Sequence, residues 1–198
     1  MSTKQKILDT ALELFNKTNT QSATTNHIAK EMGISIGNLH YHYKNREEII
    51  LKLYEQMLTE STLLVQDLPK DIVGLFEHQK LMSKILWKYH FFYRELLFLL
   101  SRDPLLKERY IQDNISHAQR IRISFENLVS SGDMQIEDEG NLQYLVDTVM
   151  LTSSFWNPLE ETLGKEVNEH TFETAVEHIQ KAMRPYFTQQ AIKALKQN

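Results

Sequence analysis

The fold of this chain is decided by residues 24–46, which read TTNHIAKEMGISIGNLHYHYKNR. The stretch predicts a short helix, a tight turn and a second short helix. Thr24 or Thr25 is suited to cap the first helix and Ser35 the second, because their hydroxyls can accept from free backbone N–H groups. Gly33 stands in the turn, where the left-handed conformation favours glycine. The residues expected to face inward are Ile28, Ala29, Met32, Ile34, Leu39 and Tyr43.

The second short helix ends in aromatic and basic side chains. Phenol, imidazole, ammonium and guanidinium groups bind phosphate oxygens and fix the register of a protein on a duplex. An ordinary helical hairpin also uses a glycine turn, but it does not need this ending. His40 and His42 cannot share a metal on a helix, because residues two apart point about 200° away from each other. The stretch therefore predicts a helix-turn-helix whose second helix lies in the major groove of DNA.

Composition excludes several classes of protein. The 198-residue chain has no cysteine, which rules out disulfides and thiolate metal sites. We find no signal peptide and no apolar run near the roughly 20 residues of a membrane helix, so we expect a soluble, cytoplasmic protein. The sequence contains no nucleophile elbow, zinc-protease helix, phosphate-binding glycine loop or dinucleotide fingerprint. We therefore expect no catalytic residues, no metal site and no cofactor.

Charge is distributed unevenly along the chain. The net charge is −4, which taken alone argues against a nucleic-acid binder. Residues 1–46 nevertheless carry a balance of +3, which leaves −7 on the rest. Small asymmetries of this kind are common, but a cationic end on an acidic body fits a protein that touches phosphates at one end only.

Helical periodicity runs through almost the whole chain, so the predicted fold is all-α. We expect an N-terminal helix-turn-helix DNA-binding domain in residues 1–46, continuing into a connecting helix over 46–66. Residues 47–198 are expected to form a larger helical regulatory and dimerisation domain, ending in a polar tail from residue 189. Asn45 with Glu48 is a capping signal for the connecting helix, and Pro104 marks another helix start.

Residues 4–58 resemble the DNA-binding domain of TetR/AcrR-family transcriptional regulators. The resemblance rests on ILDTALELF, TTNHIAKEMGIS and GNLHYHYKNREEII, which leads into a long fourth helix. It implies an all-helical homodimer in which each subunit carries an N-terminal three-helix DNA-binding domain. It also implies a larger helical domain that dimerises and usually encloses a small-molecule pocket.

The resemblance also assigns DNA-facing residues. Those implied to contact phosphates are Thr25, His40, Tyr41, Lys44 and Arg46. Those implied to face the bases are Asn26, Ile36, Gly37, Asn38 and His42. The amide of Asn38 is suited to pairing with N6 and N7 of adenine. His40 stands where the family usually has tyrosine, so that phosphate contact falls to an imidazole or shifts to Tyr41. Tyr43 replaces the more common phenylalanine.

An aromatic segment over residues 87–100 has three possible roles: it could line an apolar ligand cavity, fill the core or form an interface. The candidate pocket residues are Trp87, His90, Phe91, Arg94, Phe98, Phe125, Met150 and Trp156. Arg94 or His90 inside a cavity would suggest an anionic ligand.

Two amphipathic segments near the C-terminus predict a pair of helices that meets its two-fold copy in a four-helix bundle. The predicted dimer-interface residues are Leu142, Val146, Val149, Phe172, Val176, Ile179 and Met183. The alternative is that both helices pack within one chain. Pro158 is expected to kink or interrupt the first helix, and Pro185 to end or bend the second.

The predicted function is a ligand-responsive, DNA-binding transcriptional regulator. We expect it to act as a repressor that binds a partly palindromic operator as a dimer and responds to an unknown small-molecule effector. The alternative is a helical small-molecule-binding or scaffold protein whose helix-turn-helix is purely architectural.

Overall fold

The structure, a computed structural model, describes residues 2–64 and 67–197. Within these ranges the regular elements are helices, which confirms the all-α prediction. The α-helices are α1 Thr3–Lys17, α2 Thr25–Glu31, α3 Ile36–His42, α4 Arg46–Leu64, α5 Ile72–Lys88, α6 His90–Arg94, α7 Leu96–Arg102, α8 Pro104–Ser130, α9 Glu139–Thr162, α10 Glu169–Met183 and α11 Gln189–Gln197. A short 3-10 helix, Arg184–Tyr186, joins α10 to α11. None of the described helices is both long enough and apolar enough to cross a membrane.

The chain divides into two compact units. Residues 1–62 and 88–108 form one, which we call the head unit. Residues 63–87 and 109–198 form the other, the body unit. The predicted boundary after residue 46 thus falls inside the head unit, which also takes in a segment from the middle of the sequence.

Local sequence signals place three helix ends correctly. The Oδ1 atom of Asn45 accepts from the N–H of Glu48 at 2.8 Å just before α4, while the Glu48 carboxylate accepts from the N–H of Lys44 at 2.7 Å. α8 begins at Pro104 as predicted, and α10 ends two residues before Pro185.

Two expectations about the C-terminal part are corrected. Of the two effects expected at Pro158, the interruption is wrong, because α9 runs through it to Thr162, and the kink stays a prediction. The expected polar tail is helical over Gln189–Gln197, because Ala191 is fully buried and anchors α11 in the body unit; Asn198 lies outside the described residues.

The head unit has an aromatic core built on the inward face of α1. The ring of Phe15 lies 5.3 Å from that of Phe91, measured between centroids, and Tyr54 stacks on Phe92 at 4.9 Å. The buried α1 residues are Ile7, Leu8, Ala11, Leu12 and Phe15. Burying each large side chain contributes about 1.5–3 kcal/mol.

The body unit buries the very stripes that were predicted to form a dimer interface. Leu142 and Val146 of α9 and Ile179 and Met183 of α10 belong to one core cluster within the chain, and Phe172 is also buried. Val149 packs against that cluster, and Val176 is partly buried. The five buried residues are corrected as a surface for a second copy, because the two helices pair through them inside one chain. For the partly buried Val149 and Val176 the interface stays a prediction.

Candidate nucleic-acid interface

The α2–turn–α3 pair is closed by the caps that its sequence predicts. The hydroxyl of Thr24 accepts from the N–H of His27 at 3.4 Å, and the hydroxyl of Ser35 accepts from the N–H of Asn38 at 3.1 Å. Nδ1 of His27 in turn accepts from the N–H of Thr24 at 3.3 Å, a reciprocal cap. Gly33 has a φ of 64°, in the left-handed region that favours glycine.

Buried side chains on the inner faces of these helices fix their position. Ile28 and Leu39 are fully buried, and Tyr43 is 1% exposed just after α3. The Tyr43 hydroxyl donates to the carbonyl of Lys4 at 3.4 Å. Burial, aided by the negative charge of Glu48, raises the pKa of Tyr43 to about 12, so its hydroxyl stays neutral. The inward anchoring predicted for Leu39 and Tyr43 is confirmed.

The outer side of the pair carries polar and aromatic groups. Tyr41, only two residues from Tyr43, is 85% exposed, and its ring meets His42 edge-on at 5.1 Å. We call the following residues the recognition face. Its exposed members are Asn26, Ile36, Gly37, Asn38, His40, Tyr41 and Lys44, and its partly buried members are Thr25 and His42. It offers amide, phenol, imidazole and ammonium groups, which suit both base edges and phosphates.

Arg46 is bonded within its own chain, so its contact with a phosphate stays a prediction. Its Nη1 donates to the carbonyl of Thr20 at 2.6 Å, and its Nη2 donates to Glu47 at 3.2 Å. Both groups lie within the head unit, so the guanidinium helps to hold the α1–α2 turn, although 24% of the side chain is exposed.

Comparison with known proteins finds matches to two family models that together cover nearly the whole chain. Residues 7–53 match the model of bacterial regulatory proteins of the tetR family, and residues 53–195 match the TetR model described as bacterial transcriptional repressor. The chain belongs to the tetR family of bacterial regulatory proteins.

Individual TetR-family relatives differ in how much they share with this chain. The crystal structure of a TetR-family transcriptional regulator from Marinobacter aquaeolei VT8 is 28% identical with a TM-score of 0.89, covering 99% of this chain and 97% of that one. The HTH-type transcriptional regulator YerO of Bacillus subtilis is 23% identical over 146 residues, 73% of this chain and 50% of YerO. QacR of Staphylococcus aureus is 43% identical over 53 residues, 27% of this chain and 28% of QacR. The chain thus spans half or less of these curated relatives.

The eight candidate pocket residues of this TetR-family protein do not all belong to the same unit. Four candidates lie in the head unit: His90, Phe91, Arg94 and Phe98. Four lie in the body unit: Trp87, Phe125, Met150 and Trp156.

Two head-unit candidates have other roles. Phe91 packs on Phe15 in the core. Arg94 donates through Nη2 to the carbonyls of Phe15 at 2.8 Å and Thr18 at 2.9 Å, at the C-terminal end of α1. Because these carbonyls have no helical partners, a cation there stabilises the helix end. The hydrogen bonds of Arg94 thus give it a role in holding α1, and its orientation of an anionic ligand stays a prediction.

The body-unit candidates differ among themselves. Phe125 is fully buried in the core cluster and Met150 packs against that cluster, while Trp87 meets Phe172 edge-on at 5.7 Å. Trp156 lies 4.1 Å from His178 between ring centroids. Its indole N–H is buried and has no hydrogen-bond partner among the described residues, and the same holds for Oδ1 of its neighbour Asn157.

Sequence reasoning missed Thr20 and Glu95. Thr20 is fully buried between α1 and α2, and its N–H donates to the Glu95 carboxylate, 75 positions away in the sequence. No local pattern marks such a pair, because each residue taken alone resembles an ordinary surface position. Among the described residues, no group of three or more potential metal ligands comes together.

Proposed function

We propose that this TetR-family regulator binds a partly palindromic operator as a homodimer and represses transcription by occluding a promoter. The observation that carries the proposal is the contrast between Tyr41 and Tyr43. The side chain of Tyr41 is 85% exposed and that of Tyr43 is 1% exposed. The recognition face is therefore open to solvent while buried side chains anchor its helix.

The recognition face supports a division of labour on DNA. Asn26, Ile36, Gly37, Asn38 and His42 are proposed to face the bases. Thr25, His40, Tyr41 and Lys44 are proposed to contact phosphates. Phosphate contacts set the register, and the amide of Asn38 reads an adenine through N6 and N7.

An apolar stripe on α9 supports the homodimer. Tyr144, Leu151, Phe155 and Leu159 recur at steps of seven, four and four residues, which return to one side of a helix, and they are 39–64% exposed. A row of large apolar side chains open to water marks an interaction site. We propose that this stripe, which we call the outer stripe, replaces the buried stripe as the surface for the second copy.

Trp156 and Asn157 support an effector site in the body unit. A buried N–H and a buried amide oxygen without partners are costly, at about 1–3 kcal/mol each, and a ligand that accepts from one and donates to the other would recover this energy. We propose a small-molecule effector with a hydroxyl or amide group. A thermal-shift screen should find compounds that stabilise the wild type but not the Asn157→Leu variant; equal stabilisation of both would contradict this site.

Selection of operators from a random duplex library with the purified protein tests the function. We expect two related half-sites whose centres lie roughly 34–36 Å apart, one turn of DNA or a multiple of it, because a two-fold dimer presents two recognition helices. Enrichment of no sequence, or of a single half-site, would overturn the operator proposal. The former would favour the alternative that the helix-turn-helix is architectural.

A further inference from the structure

Thr20, in the turn between α1 and α2, is hydrogen-bonded by the charged side chains of two other residues. Its N–H donates to Oε1 and Oε2 of Glu95 at 3.0 and 3.2 Å, and its hydroxyl donates to Oε2 at 2.7 Å. Its carbonyl accepts from Nη1 of Arg46 at 2.6 Å. Both donors of Thr20 and its carbonyl are thus hydrogen-bonded, and the residue is fully buried. The turn is therefore fixed by side chains that belong to other elements.

The end of α1 is tied to the same stretch as Glu95, namely the segment Lys88–Glu108 of the head unit. Nδ2 of Asn16 donates to the carbonyl of Lys88 at 2.8 Å, and Oδ1 of Asn16 accepts from the N–H of Phe91 at 3.0 Å. Arg94, next to Glu95, donates to the carbonyl of Asn16 at 3.2 Å and to two further carbonyls at the end of α1. The segment thus makes hydrogen bonds to the C-terminal end of α1 and to the turn that follows it.

The turn transmits its position directly to α2. The N–H of Ser22 donates to Oδ1 of Asn19 at 2.7 Å, and the N–H of Ala23 donates to the Asn19 carbonyl at 3.1 Å. These bonds make residues 19–23 one short, internally braced turn. Thr24 then caps α2, so a displacement of Thr20 displaces the start of α2.

We propose that Glu95 is a positioning residue for DNA binding. From the segment Lys88–Glu108, outside the helix-turn-helix, its carboxylate sets the place of Thr20 and through it of Thr25 and Asn26, which start the recognition face. The proposal rests on the DNA-binding function proposed above. The turn follows the carboxylate because leaving buried donors without an acceptor is strongly disfavoured.

A positioning role and a purely structural role differ in what they do to specificity. Misplacing Asn26 and Thr25 removes contacts that need correct geometry, whereas loose binding to any duplex depends on charge and survives. A residue that only stabilises the fold would instead weaken binding to every duplex alike, by lowering the folded fraction.

The test uses the full-length protein with a duplex obtained by selection and with a random duplex of the same length. Glu95→Gln keeps the size of the side chain but loses one acceptor and the charge. It should weaken binding to the selected duplex about tenfold, the loss expected for a hydrogen bond to a charged group, and leave binding to the random duplex within about twofold. Glu108→Gln is the matched control, because Glu108 is exposed in the same segment; it should bind both duplexes like the wild type.

A second pair of variants keeps the test decisive if Glu95→Gln folds poorly. Thr20→Ser retains the hydroxyl that donates to Glu95 and should bind like the wild type, whereas Thr20→Val, of the same shape, should lose affinity for the selected duplex only. The double variant Thr20→Val, Glu95→Gln should be no weaker than the weaker single variant, since both remove one contact.

Any outcome that differs from these expectations overturns the proposal. Unchanged affinity for the selected duplex in Glu95→Gln and Thr20→Val, an equal loss on both duplexes, or additive losses in the double variant would show that Glu95 does not position the recognition face. Failure of the wild type to select any duplex would instead remove the DNA-binding function itself, and the positioning role with it.

Discussion

The α2–α3 pair and the α9–α10 pair are built on one plan and differ in the chemistry of their outer faces. Each pair buries an apolar stripe, through Ile28 and Leu39 in the first and Val146 and Ile179 in the second. Outside, the first pair presents the polar recognition face, while α9 presents the apolar outer stripe. A polar outer face with donors suits the grooves and phosphates of DNA, and an apolar one suits a second protein chain.

The contrast also shows why the sequence indicates the outer face of α3 but not that of α9. At α3, the polar and aromatic types of the outer side chains indicate a role in DNA binding. At α9, two apolar faces exist, and periodicity alone does not tell which of them packs within the chain. The structure decides this by burying Leu142 and Val146 and leaving Leu151 and Phe155 open to solvent.

The largest expected effect comes from placing a charge on the outer stripe. Leu151→Arg should weaken dimerisation by about 5 kcal/mol, because a two-fold interface contains the substitution twice and each buried leucine contributes about 1.5–3 kcal/mol. Sedimentation velocity should show a monomer at micromolar concentration. Glu161→Gln, which changes the charge by the same amount on an exposed α9 residue off the stripe, should leave the dimer intact. A Leu151→Arg dimer of wild-type stability would mean that α9 does not form the interface.

Next in size is the loss of an inner anchor of the DNA-binding pair. Tyr43→Ala should lower the free energy of unfolding by about 4 kcal/mol, because it removes a fully packed aromatic side chain. Urea denaturation measures this, with Tyr41→Ala as the matched control two residues away. Equal stability losses in the two variants would remove the distinction between inner and outer faces on which the recognition face rests.

The body unit should show an acid sensitivity that comes from His117 of α8. Burial, together with the positive charges of Arg120 and His78, lowers the pKa of His117 from 6.5 to about 4. The unfolded chain therefore takes up a proton first as the pH falls, and the folded protein should lose about 3 kcal/mol of stability between pH 6.5 and pH 4.

Urea denaturation at a series of pH values measures this loss. His117→Gln should remove most of the pH dependence in that window. The remaining, smaller part of the pH dependence should come from His78, whose pKa is also lowered by burial and by Arg120. An unaltered pH profile in His117→Gln would place the acid sensitivity elsewhere.

The smallest effect concerns the tip of the recognition face. Tyr41→Ala should weaken binding to the selected operator about tenfold, the equivalent of one lost hydrogen bond to a charged phosphate, with no change in the unfolding midpoint. A filter-binding or fluorescence-anisotropy titration measures it. If affinity is unchanged, the outward side of α3 has been assigned to the wrong residues.

Much of the fold and part of the site can be predicted from the sequence, because short-range rules govern them. The caps at Thr24 and Ser35 and the turn at Gly33 depend on neighbouring atoms only, and all three are confirmed. Arg46 could not be placed in this way. Its partner, the carbonyl of Thr20, lies 26 positions away, and a basic side chain after a recognition helix has the same sequence appearance whether it faces DNA or its own chain.

Hydrogen bonds between residues far apart in the sequence could not be predicted for the same reason. Arg94 and Glu95 lie in a strongly apolar, aromatic stretch that could line a ligand cavity, in which Arg94 would suggest an anionic ligand. Their hydrogen-bond partners lie at the end of α1 and in the turn after it, 75 to 79 positions away. Only the folded chain brings these groups together.

The salt dependence of binding to the selected operator tests the central claim most directly. If the recognition faces of two subunits lie on DNA, the logarithm of the affinity should fall linearly with the logarithm of the salt concentration. The slope should be roughly −2 or steeper, because each subunit brings at least the exposed Lys44 to a phosphate. Weak binding to random duplexes at low salt should disappear on the same titration. Absence of binding to any duplex at any salt concentration would contradict the account.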